Sequence, residues 1–192
     1  MSEKIILSVP AHLDYLAIVE SFVEMVGKHI PVQNKELLAQ QLRFTVNEAF
    51  VNILQHTPRP PDGMVVIHFE FDPPTLYLRF PDRGKGLKIK DQYPPYSSEM
   101  VGDDYLILKT LGGELYGYIE NPRTVKLWFK EVDTQMDKKQ IIAQLKPGGM
   151  GLSIIVKFMD EVRFVKDEEE GHYLEIKKYL TGDQESGRNS DS

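Results

Sequence analysis

The chain has 192 residues, with 23 Lys and Arg against 29 Asp and Glu, and therefore a formal charge of −6. A chain of this length fits one domain and can bury a core without help from disulfides or metals. The acidic balance argues against a nucleic-acid partner, which needs a basic face. The absence of cysteine excludes a disulfide scaffold, thiol catalysis and zinc-finger sites.

Apolar runs are too short for a membrane segment. None approaches the ~20 residues of a transmembrane helix. The N-terminal stretch Ile5-Ile6-Leu7 is also too short for the core of a signal peptide. We therefore expect a soluble cytoplasmic protein with no membrane and no nucleic-acid partner.

In the N-terminal half, hydrophobic periodicity predicts one strand, two helices and a hairpin. A strand is expected over residues 4–9 and a helix from Leu13 to Val26. A second helix is expected from Asn34 to about residue 57. Two strands over residues 64–71 and 76–80 flank a Pro-Pro turn.

The centre of the chain is predicted to alternate loops and short elements. Residues 81–95 are rich in Gly, Pro and charge, which is typical of a loop. Residues 105–111 are expected to form a short helix. A hairpin is expected from strands over residues 114–119 and 124–129, followed by a polar helix over residues 133–145.

The C-terminal part is predicted to close the fold. A helix over residues 152–159 follows a glycine-rich run, and strands over residues 162–165 and 173–176 flank an acidic turn. Residues 181–192 lack large apolar side chains, and we expect them to be a disordered tail.

Three polar side chains follow one line on the second predicted helix. Glu48, Asn52 and His56 are spaced four residues apart, so they span ~12 Å along one face beside the apolar stripe. A carboxylate can accept a proton from a hydroxyl or water. An amide oxygen can bind Mg²⁺. A solvated helix face is the alternative interpretation of this pattern.

A second candidate, the segment Asp82-Arg83-Gly84-Lys85-Gly86, follows a predicted strand directly. Asp82 can accept a hydrogen bond from a ligand amino group, and Gly84 and Gly86 permit close backbone approach or positive φ. A plain turn is the alternative. The third glycine and following helix of a dinucleotide-binding fingerprint are missing.

A third candidate is the run Gly148-Gly149-Met150-Gly151 at a predicted helix start. Free backbone N–H groups and the positive end of the helix dipole favour an anion there. A flexible entry loop is the alternative. No P-loop sequence occurs in the chain.

The order of these three motifs resembles the ATP-binding domain of the histidine-kinase-like ATPase superfamily (GHKL). The most similar subgroup is the bacterial anti-sigma factor serine kinases. The resemblance covers most of the chain. It rests on residues 7–19, which resemble the subgroup's first strand and helix, and on three motifs: residues 46–56, with Glu-x-x-x-Asn-x-x-x-His, residues 82–86 and residues 148–162. It implies an α/β fold, an α+β two-layer sandwich whose mixed, mostly antiparallel sheet carries helices on one face.

The resemblance also implies roles for the phosphate end of a site that binds ATP and Mg²⁺. Glu48 would be the general base, Asn52 would hold Mg²⁺, and His56 would lie near the phosphates. The backbone N–H groups that bind the phosphates would come from Gly149, Met150 and Gly151.

At the base end, the resemblance implies that Asp82 accepts from the adenine amino group, with Gly84 and Gly86 keeping the pocket open. The implied activity is a serine/threonine protein kinase that phosphorylates a small antagonist protein. A sigma factor is a further candidate partner, and a homodimer is a candidate assembly.

Two features depart from the family pattern. The predicted single domain, residues 1–180, contains an insertion at about residues 87–147 that is longer than in compact anti-sigma kinases. Within it, residues 105–130 resemble the end of a sensor histidine kinase and compete for the terminal role. Carboxylates at Asp103 and Asp104 disfavour phosphates there, so we expect Gly149 and Gly151 to bind them.

The second departure is Gly171-His172, which stands where the family often has Gly-Thr. Two other functions stay open at this stage. One is a non-catalytic nucleotide-binding or protein-interaction module. The other is a detached phosphorelay domain, with His12 or His29 as candidate phosphate acceptors.

Overall fold

The computed structural model describes residues 2–56, 63–82, 84–110, 112–131 and 151–180. The helices of this part of the chain are α1 (Leu16–His29), α2 (Lys35–His56) and α3 (Gly151–Phe158). Two short 3-10 turns cover Leu13–Tyr15 and Ser98–Met100. The predicted positions of α1, α2 and α3 are confirmed within a few residues.

One eight-stranded sheet contains all described strands: β1 (Glu3–Pro10), β2 (Met64–Asp72), β3 (Thr75–Asp82), β4 (Asp104–Thr110), β5 (Gly113–Asn121), β6 (Thr124–Glu131), β7 (Glu161–Lys166) and β8 (His172–Tyr179). Their order is β1-β2-β3-β8-β7-β6-β5-β4. Every neighbouring pair is antiparallel. The predicted two-layer α+β fold is confirmed.

The three helices pack on one face of the sheet. In α1, the ring of Phe22 meets Phe69 of β2 edge-on, with centroids 5.8 Å apart. In α3, the Lys157 ammonium lies 4.2 Å from the ring centroid of Phe129 of β6. All three rings belong to the buried or half-buried side chains of the hydrophobic core. Burial of apolar side chains between these layers is the main stabilising contribution.

Helices α1 and α2 approach each other closely at Gly27. A Cβ placed on Gly27 would lie 2.7 Å from the backbone Cα of Ala39. The glycine therefore sets the distance between the two helices. Because α2 carries Glu48 and Asn52, the same contact also sets the position of these two residues.

The other face of the sheet carries a charged cluster. Arg163 of β7 donates from Nε and Nη2 to both carboxylate oxygens of Glu120 in β5, at 2.9 and 3.2 Å. Its Nη1 donates to Glu161. The side chains of Arg163 and Glu161 are only 17% and 19% exposed. This ion pair is therefore better shielded from water and salt than an ordinary surface pair.

The helix predicted over residues 105–111 is wrong, because this segment is strand β4. Tyr105 is buried whereas Leu106 is 46% exposed, an alternation that suits a strand. Tyr105 pairs with Gly117 of β5, and the side chain of Ile107 packs against the same glycine. Non-local pairing with β5 outweighs the local pattern of a seven-residue segment, which is too short to form a stable helix alone.

Strands β4, β5 and β6 therefore form a meander that extends the sheet beyond β7. They lie inside the predicted insertion, so the segment that competed for the terminal role is a sheet extension. The hairpins β2–β3, β5–β6 and β7–β8 are confirmed.

Several predictions fall on residues outside the described part of the chain. These are the helix over residues 133–145, Gly149, Met150 and the tail over residues 181–192. Among the described helices, none has the length and apolar character needed to cross a membrane.

Candidate functional site

The carboxylate of Glu48 lies at the contact between α2 and α3. Glu48 is half-buried in α2, and Gly151 is the buried first residue of α3. A Cβ added to Gly151 would overlap Glu48 Oε2. Burial raises the pKa of Glu48 above its ordinary value of 4.5, because a charged carboxylate loses water there. A raised pKa makes the carboxylate a better proton acceptor.

Asn52 lies one turn along α2 from Glu48 and faces the same glycine. Its Nδ2 is 3.4 Å from the position of a Cβ on Gly151. That nitrogen is buried, and it has no hydrogen-bond partner among the described residues. Buried amide groups are nearly always hydrogen-bonded, so this N–H group needs an acceptor from water, from a ligand or from a residue outside the described part of the chain.

The Asn52 side chain could hold a magnesium ion that also binds phosphate. Mg²⁺ in nucleotide sites typically takes one or two protein oxygens and completes its shell with phosphate and water. The Asn52 amide supplies one such hard oxygen, which leaves the Glu48 carboxylate for the role of base. Among the described residues no group of three or more His, Cys, Asp or Glu side chains could hold a metal by itself. The donor set therefore suits a nucleotide-bound ion rather than a closed metal site.

His56 is the last residue of α2, and its side chain is exposed. It lies ~12 Å along the helix axis from Glu48. The structure thus places it on the predicted line but at the open end of the helix. Its proposed place near the phosphates stays a prediction.

The Asp82 motif sits at the end of β3. Asp82 Oδ1 accepts a hydrogen bond from the backbone N–H of Gly84 at 2.7 Å, which turns the chain out of the strand. Gly86 has a φ of +78°, a conformation that strongly favours glycine. A Cβ on Gly86 would lie 2.8 Å from both His172 Nδ1 and Pro94 Cγ. Both the conformation and the space there require glycine.

Two residues outside the three sequence motifs lie beside Asp82, and one of them is His172, which stands where the family often has Thr. His172 is the cross-strand partner of Asp82, and Lys166 is the cross-strand partner of His172. The neighbouring core residues Phe80 and Leu174, two positions along the strands, are buried on the helix side. Because side chains alternate along a strand, Asp82 and His172 face the helix side too.

The charges around His172 act on its imidazole. Burial lowers the pKa of His172, the Lys166 ammonium lowers it further, and Asp82 opposes them in part. The Lys166 ammonium is held by the carbonyl oxygen of Pro94 at 3.1 Å. Cross-strand register, which no short motif encodes, is what brings these three residues together.

The predicted site residues thus form two groups on the helix side of the sheet. The phosphate end joins Glu48, Asn52 and Gly151, and the base end joins Asp82 with Gly84 and Gly86. The roles assigned to these residues stay predictions. Gly149 and Met150 lie outside the described residues.

Comparison with protein families gives a match over most of the chain. A family model described as the histidine kinase-like ATPase domain matches residues 9–178. This span begins in β1 and ends in β8, so it includes both groups of the site. A search of the curated proteins gave no match.

Proposed function

The chain belongs to the histidine kinase-like ATPase domain family, and from this premise we propose that it is an anti-sigma-factor-like serine/threonine protein kinase. Family membership makes it an ATP-binding module. The proposal adds that it transfers the γ-phosphoryl group to a small antagonist protein in the cytoplasm and switches partners on doing so.

One observation carries this proposal: Glu48, Asn52 and Gly151 lie together where α2 meets α3. A protein kinase needs a base for the acceptor hydroxyl and a way to neutralise phosphate charge. Glu48 would take the proton from a serine or threonine hydroxyl. The hydroxyl oxygen would form a bond to the γ-phosphorus, and the bond to the β-phosphate oxygen would break to release ADP.

Asn52 would hold Mg²⁺ through its side-chain oxygen, and that ion would neutralise charge on the phosphates when bound. Gly151 would present a backbone N–H at the start of α3, where the helix dipole favours an anion. Its missing side chain leaves the space beside Glu48 open.

At the other end, Asp82 would accept from the adenine amino group. The carboxylate lies at the end of β3, where the core pair Phe80 and Leu174 supplies an apolar floor beside it. Apolar surroundings with few polar groups are typical of sites for flat bases.

The partner proposals come from the subgroup resemblance. An antagonist protein with an acceptor serine is the proposed substrate, a sigma factor is the second candidate, and a homodimer is the candidate assembly. Among the described residues, no helix covers the face of the sheet that carries the Arg163 cluster. An open sheet face of this kind can bind another protein.

The test is phosphoryl transfer from Mg-ATP labelled at the γ-phosphate. The acceptors are proteins of an extract from cells that make this protein, heated to inactivate their own kinases. We expect acid-stable label on a small protein and release of ADP. Glu48→Ala should reduce the rate by about 10²–10⁴-fold, whereas Glu36→Gln, an exposed carboxylate on the same helix, should leave it unchanged.

Two outcomes would change this assignment. Acid-stable transfer that survives Glu48→Ala would contradict the catalytic role of Glu48. Acid-labile label on this chain would instead favour the phosphorelay interpretation with a histidine acceptor.

The second candidate function is a non-catalytic nucleotide-binding or interaction module. The meander β4–β6 favours this second function, because its three additional strands enlarge the helix-free face of the sheet, which carries the Arg163 cluster. Mg-ATP binding that is lost in Asp82→Asn, with no ADP released over hours, would support this function over the kinase.

A further inference from the structure

We propose that Thr45 is a positioning residue for phosphoryl transfer: its buried hydroxyl donates a hydrogen bond to the Glu48 carboxylate in the loaded site and so fixes the base at the acceptor hydroxyl. The inference rests on the proposed function, because it assigns a partner to the base of that reaction. Thr45 lies just outside the motif of residues 46–56, and it acts only through Glu48.

The hydroxyl of Thr45 is buried without a partner. The residue is 0% exposed, and its Oγ1 makes no hydrogen bond within the described part of the chain. A threonine inside a helix can donate to the carbonyl oxygen one turn back, but Thr45 does not. An unpaired buried hydroxyl is unfavourable, so the free protein holds a donor that lacks an acceptor.

Helix α3 covers this hydroxyl. Gly151 at the start of α3 lies beside Glu48, and Phe158 at its end packs against Phe44 of α2, with ring centroids 6.0 Å apart. The helix therefore runs back along α2 across the turn that carries Thr45. This cover keeps bulk water away from Oγ1, so the acceptor has to come from within the protein.

Glu48 is the acceptor in reach. It follows Thr45 by three residues, so both side chains lie on one face of α2 with Cβ atoms about 5–6 Å apart. Long side chains of a helix lean towards its N-terminus, which brings the Glu48 carboxylate over the turn of Thr45. Burial alone raises the pKa of Glu48, with no contribution from a hydrogen-bond donor. A carboxylate without a donor and a hydroxyl without an acceptor are thus neighbours.

The hydrogen bond forms in the loaded site and not in the free protein. Without nucleotide, Glu48 Oε2 occupies the space beside Gly151, and Thr45 Oγ1 stays unpaired. Catalytic hydrogen bonds are often long or misaligned in a free enzyme and tighten when substrate binds. Thr45 then holds one carboxylate oxygen and leaves the other to take the proton of the acceptor hydroxyl. An interaction made only at that stage raises kcat rather than affinity.

The experiment compares Thr45→Val, which removes the hydroxyl and keeps the shape, with Thr45→Ser, which keeps the hydroxyl. Transfer of the γ-phosphoryl group to the acceptor in the heated extract is measured with Mg-ATP varied, which separates kcat from KM. Glu48→Ala, alone and combined with Thr45→Val, shows whether Thr45 acts through Glu48. Ser153→Ala is the control, because its hydroxyl is also buried and unpaired among the described residues but lies about 200° around α3 from Gly151.

We expect Thr45→Val to lower kcat by about 10–100-fold, since small displacements of a reacting group are costly, with KM for Mg-ATP unchanged. The same variant should melt at a higher temperature than the wild type, because it removes an unpaired buried hydroxyl. Thr45→Ser should retain most of the wild-type kcat. In the Glu48→Ala background, Thr45→Val should cause no further loss, and Ser153→Ala should match the wild type.

A purely structural role gives different results. A Thr45→Val protein as active as the wild type, a Thr45→Ser protein as slow as Thr45→Val, or equal losses with and without Glu48 would each overturn the role of Thr45 and leave the proposed function in place. So would a lower melting temperature of Thr45→Val, since the hydroxyl would then already have a partner in the free protein. If the wild type binds Mg-ATP but transfers no phosphoryl group, the proposed function fails and this inference fails with it.

Discussion

The carboxylate of Glu48 and the backbone of Gly151 share a space that a single methyl group would fill. A Cβ on Gly151 would overlap Glu48 Oε2 and would lie 3.4 Å from Asn52 Nδ2. Glycine at the start of α3 is therefore a condition for the carboxylate to keep its position. Two elements far apart in the chain meet at this point, and the proposed chemistry depends on their meeting.

The first prediction is that Gly151→Ala reduces phosphoryl transfer more than it reduces stability. The overlapping atom is the end of a flexible side chain, so Glu48 can turn away at a cost in stability of about 1 kcal/mol, comparable to one off-rotamer torsion. A displaced base would slow transfer by at least tenfold, since small misplacements have large effects on rate. Steady-state kinetics and thermal melting measure the two effects.

The matched control is Ser153→Ala in the same helix. Ser153 is buried, and its hydroxyl has no partner among the described residues, so its removal adds no atom near Glu48 and leaves no donor unpaired. We expect activity within twofold of the wild type. Equal losses in both variants would mean that the effect comes from α3 as a whole and not from the Glu48 contact.

The second prediction concerns the ionisation of Glu48. Because burial raises its pKa above 4.5 in the folded protein, the carboxylate favours folding most when it is protonated. Below pH 4.5 it is protonated in both states, and as the pH rises through the folded pKa its ionisation costs stability. We therefore expect Glu48→Gln to be more stable than the wild type at pH 7.5, with no difference at pH 3.5.

Urea unfolding at both pH values measures this difference. The control is Glu3→Gln, an exposed carboxylate in β1, which should have the same small effect at each pH. A Glu48→Gln protein that is less stable at pH 7.5 would mean that the charged carboxylate has a stabilising partner in the fold.

Much of this architecture can be predicted from local sequence pattern, and the predictions that fail share one cause. Alternation in β2 and β3 and helical spacing in α2 are strong because each segment buries one face. The local pattern wrongly predicts a helix where β4 lies, because it does not show that Tyr105 pairs with β5, more than ten residues away. The proximity of His172 to Asp82 has the same origin, because cross-strand register is a non-local property.

The third prediction concerns the stability contributed by the Arg163 cluster on the face of the sheet opposite the helices. Burial raises the pKa of Glu161, but hydrogen bonds from Arg163 and Tyr179 and the charges of Arg163 and Lys177 outweigh it and lower the pKa to about 2. The resulting stability is present above pH 4.5 and is lost as the pH falls towards 2. Arg163→Met should cost about 2 kcal/mol at pH 7, between the values for exposed and buried pairs.

The difference between wild type and Arg163→Met should shrink between pH 4.5 and pH 2, which acid titration of unfolding would show. Arg79→Met is the control, because Arg79 pairs with Glu170 and Glu175 on the same face but is 39% exposed. We expect it to cost no more than about 1 kcal/mol. Equal costs for the two arginines would show that the link from β7 to Glu120 of β5 adds no stability.

The last prediction concerns Gly27, where α1 and α2 come together. Alanine would raise helix propensity by about 1 kcal/mol. Its Cβ, however, would lie 2.7 Å from the Cα of Ala39, and backbone cannot turn aside as a side chain does. Overpacking of this kind costs about 1–3 kcal/mol, so we expect Gly27→Ala to be less stable than the wild type by about 1 kcal/mol.

Ser21→Ala, at an exposed position of the same helix, calibrates the propensity gain and should be neutral or slightly stabilising in denaturant unfolding. Because α2 must move away from α1 in Gly27→Ala, we also expect weaker Mg-ATP binding, since Asn52 lies on the displaced helix. A stabilised Gly27→Ala protein with unchanged ATP affinity would mean that the two helices can separate without disturbing the contact between α2 and α3.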